Sequence, residues 1–460
     1  MNDSSMKKDY DIIVVGGGIA GLASAEMLSR GGKSVLLIEK ENLLCSLSSG
    51  AHHGWFHFGS LYTIFPGNNY IKGFVKNLHV LLDYYSHLPG FNLNLDSSGR
   101  IKVKNQPRMW LTDNKINYIA ASRNNEDFNL KKFNGFINYL KKIFYVVLWE
   151  FSLKRFVGRH VSFDKNKWNI SLKNSIKNIT KSWIKSYNKS LITKHNYSEI
   201  NLNKDTHFLI EGFDRTMNLE IILEDIYNAY IDNGGKVLNN CEINSITKKD
   251  KGYEVKSNNE DVFFCKTVIN SSGKNISQLS NFSVTNVESP LLVIYPKLLN
   301  ENFVRLTPFV SETINHLVHT FNGKEYSLVG GGGYSNSDEF EKKKVLDDLK
   351  TMSSKVFKNF NKSKVIESYF STKTEFVTNK GRNYLYSINK EGNNRFNIIP
   401  GKFTLSFSLS LDLFKKIYNC LPSKKNSHIS KRNSFKTKKN QNILSRPKAV
   451  SILSKILFKN

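Results

Sequence analysis

Cysteine is scarce in this sequence. Its 460 residues include four cysteines, at positions 45, 241, 265 and 420, and no two of them form a CxxC pair. A disulfide framework or a cysteine-based zinc site needs closely patterned cysteines. The sequence therefore indicates neither, and it is typical of a protein whose thiols stay reduced in the cytoplasm.

Long apolar runs are also missing. A membrane-spanning helix needs roughly 18 or more apolar residues, and no such run occurs. No apolar segment of a secretory signal precedes the first predicted strand. The most apolar segment, 136–156, is interrupted by Lys141, Lys142 and Glu150 and is predicted to be an amphipathic helix. We therefore expect a cytoplasmic protein without a transmembrane helix.

Acidic residues are absent from 421–460, which contains 11 Lys or Arg. The whole chain has a formal net charge of +28. A basic surface attracts phosphates, anionic lipid or small acidic molecules. A lysine- and asparagine-rich composition with no such partner explains the same charge equally well. Because no aromatic and basic RNA-binding motif is visible, nucleic acid is not an expected partner.

The basic stretch ends in an amphipathic pattern. Pro447 suits the first turn of a helix, and four apolar side chains then share one helical face: Val450, Leu453, Ile456 and Leu457. Lysines flank this face, as in a short helix that lies on a membrane surface. On that interpretation the protein attaches peripherally to the inner face of the membrane and passes electrons to a quinone. A disordered tail is the equal alternative, because such short helices are marginal in water.

The strongest pattern is YDIIVVGGGIAGLASAEMLSRGGKSVLLIEKE near the N-terminus. Residues 10–15 form an apolar run typical of a buried parallel strand. The next turn places Gly16, Gly18 and Gly21 in GxGxxG spacing, and a second strand ends at Glu39. Gly16 permits the tight turn, Gly18 admits a pyrophosphate and Gly21 lets helix and strand pack, while Glu39 can accept hydrogen bonds from a ribose. This order predicts a site for the ADP moiety that NAD and FAD share.

Two later segments extend this pattern. After a helical periodicity at 219–230, predicted strands include one with Ile243 in INSI and one that ends at Gly273 in VINSSG. These motifs resemble those of the FAD-dependent oxidoreductases of the D-amino-acid oxidase superfamily. The resemblance implies that the strand with Ile243 contacts adenine and that 268–273 lies beside the pyrophosphate. The two serines of VINSSG depart from the alanines that are usual in this family.

A third segment, NIIPGKFTLSFSLSLDLFKKI, resembles the last flavin-binding turn and helix of the same superfamily. Gly401, Lys402 and Thr404 match its motif. A helix that starts there directs its positive end toward the flavin, where a cation or a helix dipole stabilises the reduced cofactor. The resemblance thus identifies the cofactor as FAD.

The histidine-rich stretch SGAHHGWFHFGSLY follows Glu39 at the expected distance. It is similar to a segment of the branch that holds the L-2-hydroxyglutarate and glycerol-3-phosphate dehydrogenases, with six positions in register: Ser49, Gly50, Gly54, His57, Gly59 and Tyr62. The resemblance implies that the stretch runs under the flavin, that Ser49 and Gly50 contact the cofactor and that His57 lines the catalytic pocket.

His57 is the candidate general base. Oxidation of a CH–OH group requires removal of the hydroxyl proton as the hydride leaves, and a neutral imidazole suits that role. The alternative is a packing residue with a hydrogen bond to the flavin. His52 and His53 are equally well explained as structural residues. No Cys, Asp or Glu nearby completes a zinc ligand set, so no metal is expected.

The expected substrate is a small anionic molecule. Family members commonly bind it with an arginine in GxRP ahead of the last flavin motif. This chain has STKTEFVTNKGRNYLYS there, so Lys373 and Arg382 are the candidate substitutes. The departure leaves the identity of the substrate open.

Together these observations predict an α/β fold of two domains. A Rossmann-like FAD-binding domain is built from the discontinuous segments 1–65, 205–280 and 365–420. An α+β substrate domain with an antiparallel sheet comprises 66–204 and 281–364, and 421–460 forms a basic tail. The predicted function is hydride transfer to FAD from a 2-hydroxy acid or a glycerol or sugar derivative. The alternatives are an amine or amino-acid oxidase and an FAD-binding protein that modifies RNA or lacks catalysis.

Overall fold

The computed structural model describes residues 9–97, 101–121, 144, 147–149, 151–156, 200–201, 207–307, 313–331, 333–335, 338–377, 383–422 and 443–457. The strands in these ranges are β1 Asp9–Val15, β2 Val35–Ile38, β3 Trp55–Phe56, β4 Leu93–Leu95, β5 Ile101–Val103, β6 Leu111–Ala121, β7 His207–Met217, β8 Lys236–Leu238, β9 Ile243–Lys249, β10 Gly252–Ser257, β11 Val262–Asn270, β12 Val284–Tyr295, β13 Asn302–Leu306, β14 Ile314–Phe321, β15 Lys324–Gly331, β16 Lys364–Phe376, β17 Ser387–Lys390 and β18 Arg395–Ile399. The α-helices are α1 Ile19–Arg30, α2 Asn69–Val80, α3 Leu219–Asp232, α4 Glu339–Val356, α5 Ser406–Tyr418 and α6 Lys448–Leu457.

The first sheet has a parallel centre. Its strand order is β17-β18-β11-β1-β2-β8, and β10 and β9 continue from β11 as antiparallel partners. Strands β18, β11, β1, β2 and β8 run parallel to one another, and β17 pairs antiparallel with β18 at the edge. β1 and β2 are covered on both faces, which explains why their sequences are continuous apolar runs.

Helix α1 is enclosed on all sides. Every residue from Ile19 to Arg30 is buried, because α3 and α5 pack against it. Its small residues allow this close approach to the sheet. Inside this layer Arg30 Nε donates to Glu26 Oε1 at 2.8 Å, so a charged pair one helical turn apart is satisfied without solvent. The helix after the glycine turn is therefore fixed firmly in the core.

The second sheet is mostly antiparallel. Its order is β16-β12-β15-β14-β13-β6-β7-β3, and β13 and β6 form its parallel pair. The predicted fold class is confirmed: a Rossmann-like sheet is joined to an antiparallel sheet. β4 and β5 form a separate ribbon.

Three strands from segments that the sequence assigns to the FAD-binding domain pair within the second sheet. They are β3, β7 and β16. The chain crosses from one sheet to the other inside these segments. The pattern of apolar residues in the sequence does not show where such a crossing occurs. The domain boundaries therefore stay a prediction, and the crossings bring both sheets to one cavity.

The C-terminal helix corrects the expectation of a membrane-lying or disordered tail end. Helix α6 packs Ala449, Val450, Ile452 and Leu453 into a cluster with apolar residues of β12, β15 and β16. Its apolar face is covered by the protein itself, whereas Ile456 is exposed. The sequence pattern indicated the helix but not what covers it. Residues 423–442, the most basic part of the tail, lie outside the described residues.

None of the helices in the described ranges combines the length and the apolar character that a membrane span requires.

Candidate active site and cofactor cavity

One cavity of about 360 Å³ brings the predicted residues together. It is lined by glycines of the β1–α1 turn, by Glu39 and Ile243 at one end and by His57 and Lys402 at the other. The turn glycines are Gly16 and Gly18, and seven further residues line the cavity: Ser49, His52, His53, Gly273, Lys373, Gly401 and Lys448. Segments far apart in sequence thus meet in one space.

The glycine turn after β1 has a specific geometry. Gly16 adopts φ +104°, and a Cβ built on it would lie 2.6 Å from the carbonyl oxygen of Ser271. A Cβ at Gly21 would collide with the carbonyl oxygen of Gly16. At Gly18, by contrast, a Cβ would face the cavity, with Ser49 Oγ at 3.3 Å as its near neighbour among the described residues. Two glycines therefore permit packing, and Gly18 leaves space for a ligand.

The serines of VINSSG stabilise this turn. The Ser271 hydroxyl lies 2.8 Å from the carbonyl oxygen of Val15 and 2.9 Å from that of Gly16. The hydroxyl of Ser272 donates to Asn270 Oδ1 at 2.6 Å. Gly273 then takes φ +58° at the cavity wall. The departure from alanine adds hydrogen bonds to the turn without closing the cavity.

Glu39 and Ser49 flank the N-terminus of α1. The Glu39 carboxylate accepts from Gly17 N at 2.6 Å and from Glu41 N at 2.9 Å. Burial raises its pKa, and these two hydrogen bonds oppose the rise. Each of its oxygens keeps a second lone pair for a ribose hydroxyl. Ser49 Oγ accepts from Ile19 N at 2.9 Å and so fixes the segment beneath the helix end.

His57 is buried at the other end of the cavity, with 5% of its surface exposed. Its ring centroid lies 4.5 Å from that of Trp55, and its backbone N–H donates to Thr404 Oγ1 at 3.1 Å. Nδ1 lies 3.6 Å from Asp214 Oδ2, a longer separation than an ordinary hydrogen bond. Burial lowers the pKa of His57 to about 4, although Asp214 opposes this shift. The imidazole is therefore neutral at physiological pH.

Asp214 is the residue that sequence analysis missed. It is fully buried, and its carboxylate accepts from Trp55 Nε1 at 3.0 Å, Phe58 N at 2.7 Å and the Tyr118 hydroxyl at 2.7 Å. Burial alone would raise its pKa, but His57 and these donors hold the pKa below the ordinary value. Asp214 is therefore an anion placed behind the imidazole. Its strand also carries the exposed Glu211, so no local pattern in the sequence distinguishes Asp214 as a functional acid.

His52 and His53 are buried neutral rings that line the cavity and accept backbone hydrogen bonds. Nδ1 of His52 accepts from Gly54 N at 2.9 Å, and Nδ1 of His53 accepts from Trp55 N at 3.2 Å. Burial lowers both pKa values well below the ordinary histidine value. The proton of each neutral ring must then reside on Nε2. No group of metal-ligating side chains occurs among the residues that the structure describes.

Two lysines give the catalytic end a positive charge. Lys402 lies over the ring of Tyr384, with Nζ 5.1 Å from the ring centroid, and Lys373 lies 4.6 Å from the centroid of Tyr334. Both lysines lower the pKa of His57, Lys402 more than Lys373. Gly401 takes φ +63°, where a Cβ would meet the carbonyl oxygen of Leu385. Arg382 lies outside the described residues.

Three predicted cofactor residues support the cavity from behind. Gly21 packs against the turn, Thr404 is fully buried and holds the backbone of His57, and the carbonyl oxygen of Gly50 accepts from Lys448 N at 2.8 Å. The cavity itself suits a long ligand with phosphates in its middle. Gly18 has no side chain and lies at the N-terminus of α1, which suits a pyrophosphate. The Glu39 carboxylate, at the same end of the cavity as Ile243, can accept hydrogen bonds from an adenosine. The residues present therefore fit FAD.

Comparisons with known proteins support this interpretation. Residues 11–110 match the family model described as FAD dependent oxidoreductase. No curated protein sequence matches the chain. Its fold is similar to that of L-proline dehydrogenase from P. horikoshii, with 12% identity, a TM-score of 0.61 and coverage of 92% of this chain and 96% of that one.

Two further solved structures share the fold. L-alpha-glycerophosphate oxidase from Mycoplasma pneumoniae with FAD bound has 17% identity and a TM-score of 0.58, over 92% of this chain and 98% of that chain. Glycine oxidase from Geobacillus kaustophilus has 12% identity and a TM-score of 0.58, over 90% and 95% of the two chains. These proteins act on different classes of substrate, so the fold leaves the substrate class of this chain open.

Proposed function

We propose that this chain is an FAD-dependent oxidoreductase of the D-amino-acid oxidase superfamily and that it oxidises a CH–OH group of a small anionic substrate. The observation that carries the proposal is the neutral His57 ring in the cavity, with Asp214 behind its Nδ1. FAD, when bound, supplies the hydride acceptor. The chain must then bind the substrate, orient its carbon and remove the hydroxyl proton.

The His57–Asp214 pair suits proton removal. With Nδ1 directed toward a buried carboxylate, the ring carries its proton on Nδ1, and the lone pair of Nε2 is free on the other side of the ring. When Nε2 takes the hydroxyl proton, the imidazolium forms 3.6 Å from the Asp214 anion and is stabilised by it. An amine substrate enters such a reaction as a neutral amine and needs no base of this kind.

The positive charges favour an anion. Lys373 and Lys402 line the same cavity as His57. A carboxylate or phosphate of the substrate would offset their charge, and the pKa of His57 would then rise from about 4. Binding of the anion would thus make the base stronger at the moment when it is needed. A 2-hydroxy acid or a glycerol or sugar phosphate meets both requirements.

The test is the rate of flavin reduction in His57→Ala and Asp214→Asn. Each should slow reduction by ~10²–10⁴-fold, the usual contribution of a general base, while the protein stays yellow. His79→Ala, a change of an exposed histidine on α2, is the matched control and should leave the rate unchanged. Anaerobic stopped-flow spectra with a panel of 2-hydroxy acids, polyol phosphates and amino acids provide the measurement. Equal rates in all variants, or reduction by amino acids alone, would contradict the proposal.

We also propose that the protein attaches to an anionic membrane surface and passes electrons to a quinone. With the face of α6 covered, the supporting observation comes from the helical residues 144, 147–149 and 151–156, which are the described part of that segment. Four side chains at helical spacing are exposed there: Phe144, Val147, Leu148 and Phe151. Trp149, Leu153 and Phe156 anchor this segment in the core, and the chain is strongly basic.

Sedimentation with vesicles tests this attachment. The protein should bind vesicles of phosphatidylglycerol at low salt, bind zwitterionic vesicles weakly, and be released as salt screens the charges. Phe151→Ser should weaken binding by about 1–2 kcal/mol, the transfer free energy of an aromatic side chain. Phe340→Ser, a change of an exposed phenylalanine on α4, is the control. Equal binding of both variants would place the membrane contact elsewhere.

A further inference from the structure

The C-terminal segment 443–457 is attached to the loop that runs beneath the cofactor cavity. Leu44 and Leu444 form a parallel β-bridge. Leu44 N donates to the Ile443 carbonyl oxygen at 2.8 Å, and Ser445 N donates to the Leu44 carbonyl oxygen at 3.0 Å. The backbone of this loop therefore depends on partners that follow the last family motif by many residues.

The loop itself, residues 44–51, contacts the glycine turn directly. Cys45 takes φ +59°, a strained value for a residue with a side chain. Its N–H donates to the Gly17 carbonyl oxygen at 3.1 Å. The loop then carries Ser49 to the N-terminus of α1. A displacement of this loop would therefore disturb the cofactor site at two places: the glycine turn that Cys45 contacts and the N-terminus of α1 that Ser49 contacts.

Helix α6 fixes the other end of the loop. Ala51 packs into the same cluster as Ile452 and Leu453, and Leu453 is 1% exposed. The Gly50 carbonyl oxygen accepts from Lys448 N at the start of the helix. The helix thus joins the loop to β12, β15 and β16 of the second sheet and holds the two walls of the cavity together.

Lys448 also lines the cavity. Its Nζ lies 5.2 Å from the centroid of the Tyr369 ring, and it is the first residue of α6, where the helix dipole is positive. Its neighbours Gly50 and Ser49 belong to the segment that flanks the N-terminus of α1. We propose that the C-terminal segment is an integral part of the FAD site and that Lys448 binds the cofactor phosphates. This proposal requires FAD binding but not the proposed substrate.

Leu453→Asp tests the role of the segment. A charge in the buried cluster should undock α6 and free the loop, and the cost of ordering it again on binding should weaken FAD by about 10-fold or more. Ile456→Asp, one turn along and exposed, should leave FAD affinity unchanged. Flavin fluorescence quenching gives the dissociation constant without any activity assay. Hydrogen exchange at 448–457 reports undocking. Undocking with unchanged FAD affinity would overturn the proposal.

Lys448→Met tests the phosphate contact and needs no change in the fold. Loss of one cation should weaken both FAD and ADP by roughly 10-fold, the scale of a hydrogen bond to a charged group, and should reduce the salt dependence of binding. Lys455→Met, a change of an exposed lysine on the same helix, should have no effect. Unchanged affinity for FAD and ADP, or a loss that affects substrate binding alone, would overturn the assignment of Lys448.

Discussion

The two ends of the cavity are built in different ways. The end beside the glycine turn is built mainly from one continuous stretch, β1 to β2, in which Gly21 packs on Gly16 and Glu39 accepts from Gly17 N. Ser271, which follows β11, is added from a distant segment and packs against Gly16. The catalytic end is assembled across the chain, since His57 meets Asp214 from β7, Lys373 from β16 and Lys402 from the turn before α5. The first end depends on backbone geometry, and the second depends on charge.

This difference decides how each end should respond to substitution. In the glycine turn, a side chain added where β1 and α1 are in contact would prevent them from packing. A side chain added at the cavity surface would leave the packing intact but would occupy the space of the ligand. A charge cluster keeps its shape when one member is neutralised, because the other members are held by their own strands. Substitutions at the first end should therefore affect folding or cofactor binding, and those at the second should affect the reaction.

The largest effect is expected from two valines in the glycine motif. Gly21→Val should prevent folding, because a Cβ there collides with the Gly16 carbonyl oxygen. Gly18→Val should fold, because its Cβ faces the cavity, but the branched side chain would occupy the pyrophosphate position and FAD should be lost almost completely. Circular dichroism and the flavin absorbance of the purified proteins give the measurement.

Gly32→Val is the control for the cost of replacing a glycine in this layer. Gly32 has φ +82° and no atom within 4 Å of a built Cβ, so backbone strain alone should lower stability without loss of FAD. A folded Gly18→Val protein with full flavin occupancy would remove the basis for the assignment of this end of the cavity.

The same difference explains what the sequence could predict. The strand, turn, helix, strand and acid of the first end are local, and their spacing alone predicts their contacts. Asp214 could not be found in this way, because it reaches His57 through the pairing of β3 with β7. A sequence motif consists of residues that are close along the chain, whereas the pair of His57 and Asp214 is formed by the register of two strands that are distant in sequence. Lys373 was found because a family motif drew attention to its segment.

Helix α6 shows the limit of periodicity. The apolar face of Val450 and Leu453 was predicted from sequence, and the structure has the helix. Periodicity indicates that a face must be covered, but it does not distinguish a membrane from the protein's own sheet. The contacts of this helix with β16 decide the question, and they depend on the path of a chain segment that no local pattern describes.

The pH dependence of the catalytic end follows from its buried histidine. The pKa of His57 is about 4 in the folded protein and about 6.5 in an unfolded chain. Between these values the unfolded state binds the proton and the folded state does not, so His57 contributes stability above about pH 6.5 that is lost as the pH falls toward 4. Activity should likewise be lost as the pH falls toward 4, because His57 must be neutral to act as a base. Because kcat/KM reports the free enzyme, kcat/KM should therefore stay level down to about pH 5.

The smallest effect is expected from Lys373→Met, which separates substrate binding from basicity. Removal of this cation should raise KM for an anionic substrate by ~10-fold, the scale of one charge-assisted contact, with a smaller change in kcat. Because Lys373 lowers the pKa of His57, its loss should also move the acid limb of kcat/KM to higher pH by a fraction of a pH unit. Lys390→Met, a change of an exposed lysine on β17, should alter neither quantity. Steady-state rates from pH 4 to 8 give both quantities. If KM is unchanged and the acid limb of kcat/KM shifts, Lys373 acts on His57 alone. If KM rises and the acid limb does not shift, Lys373 acts on the substrate alone.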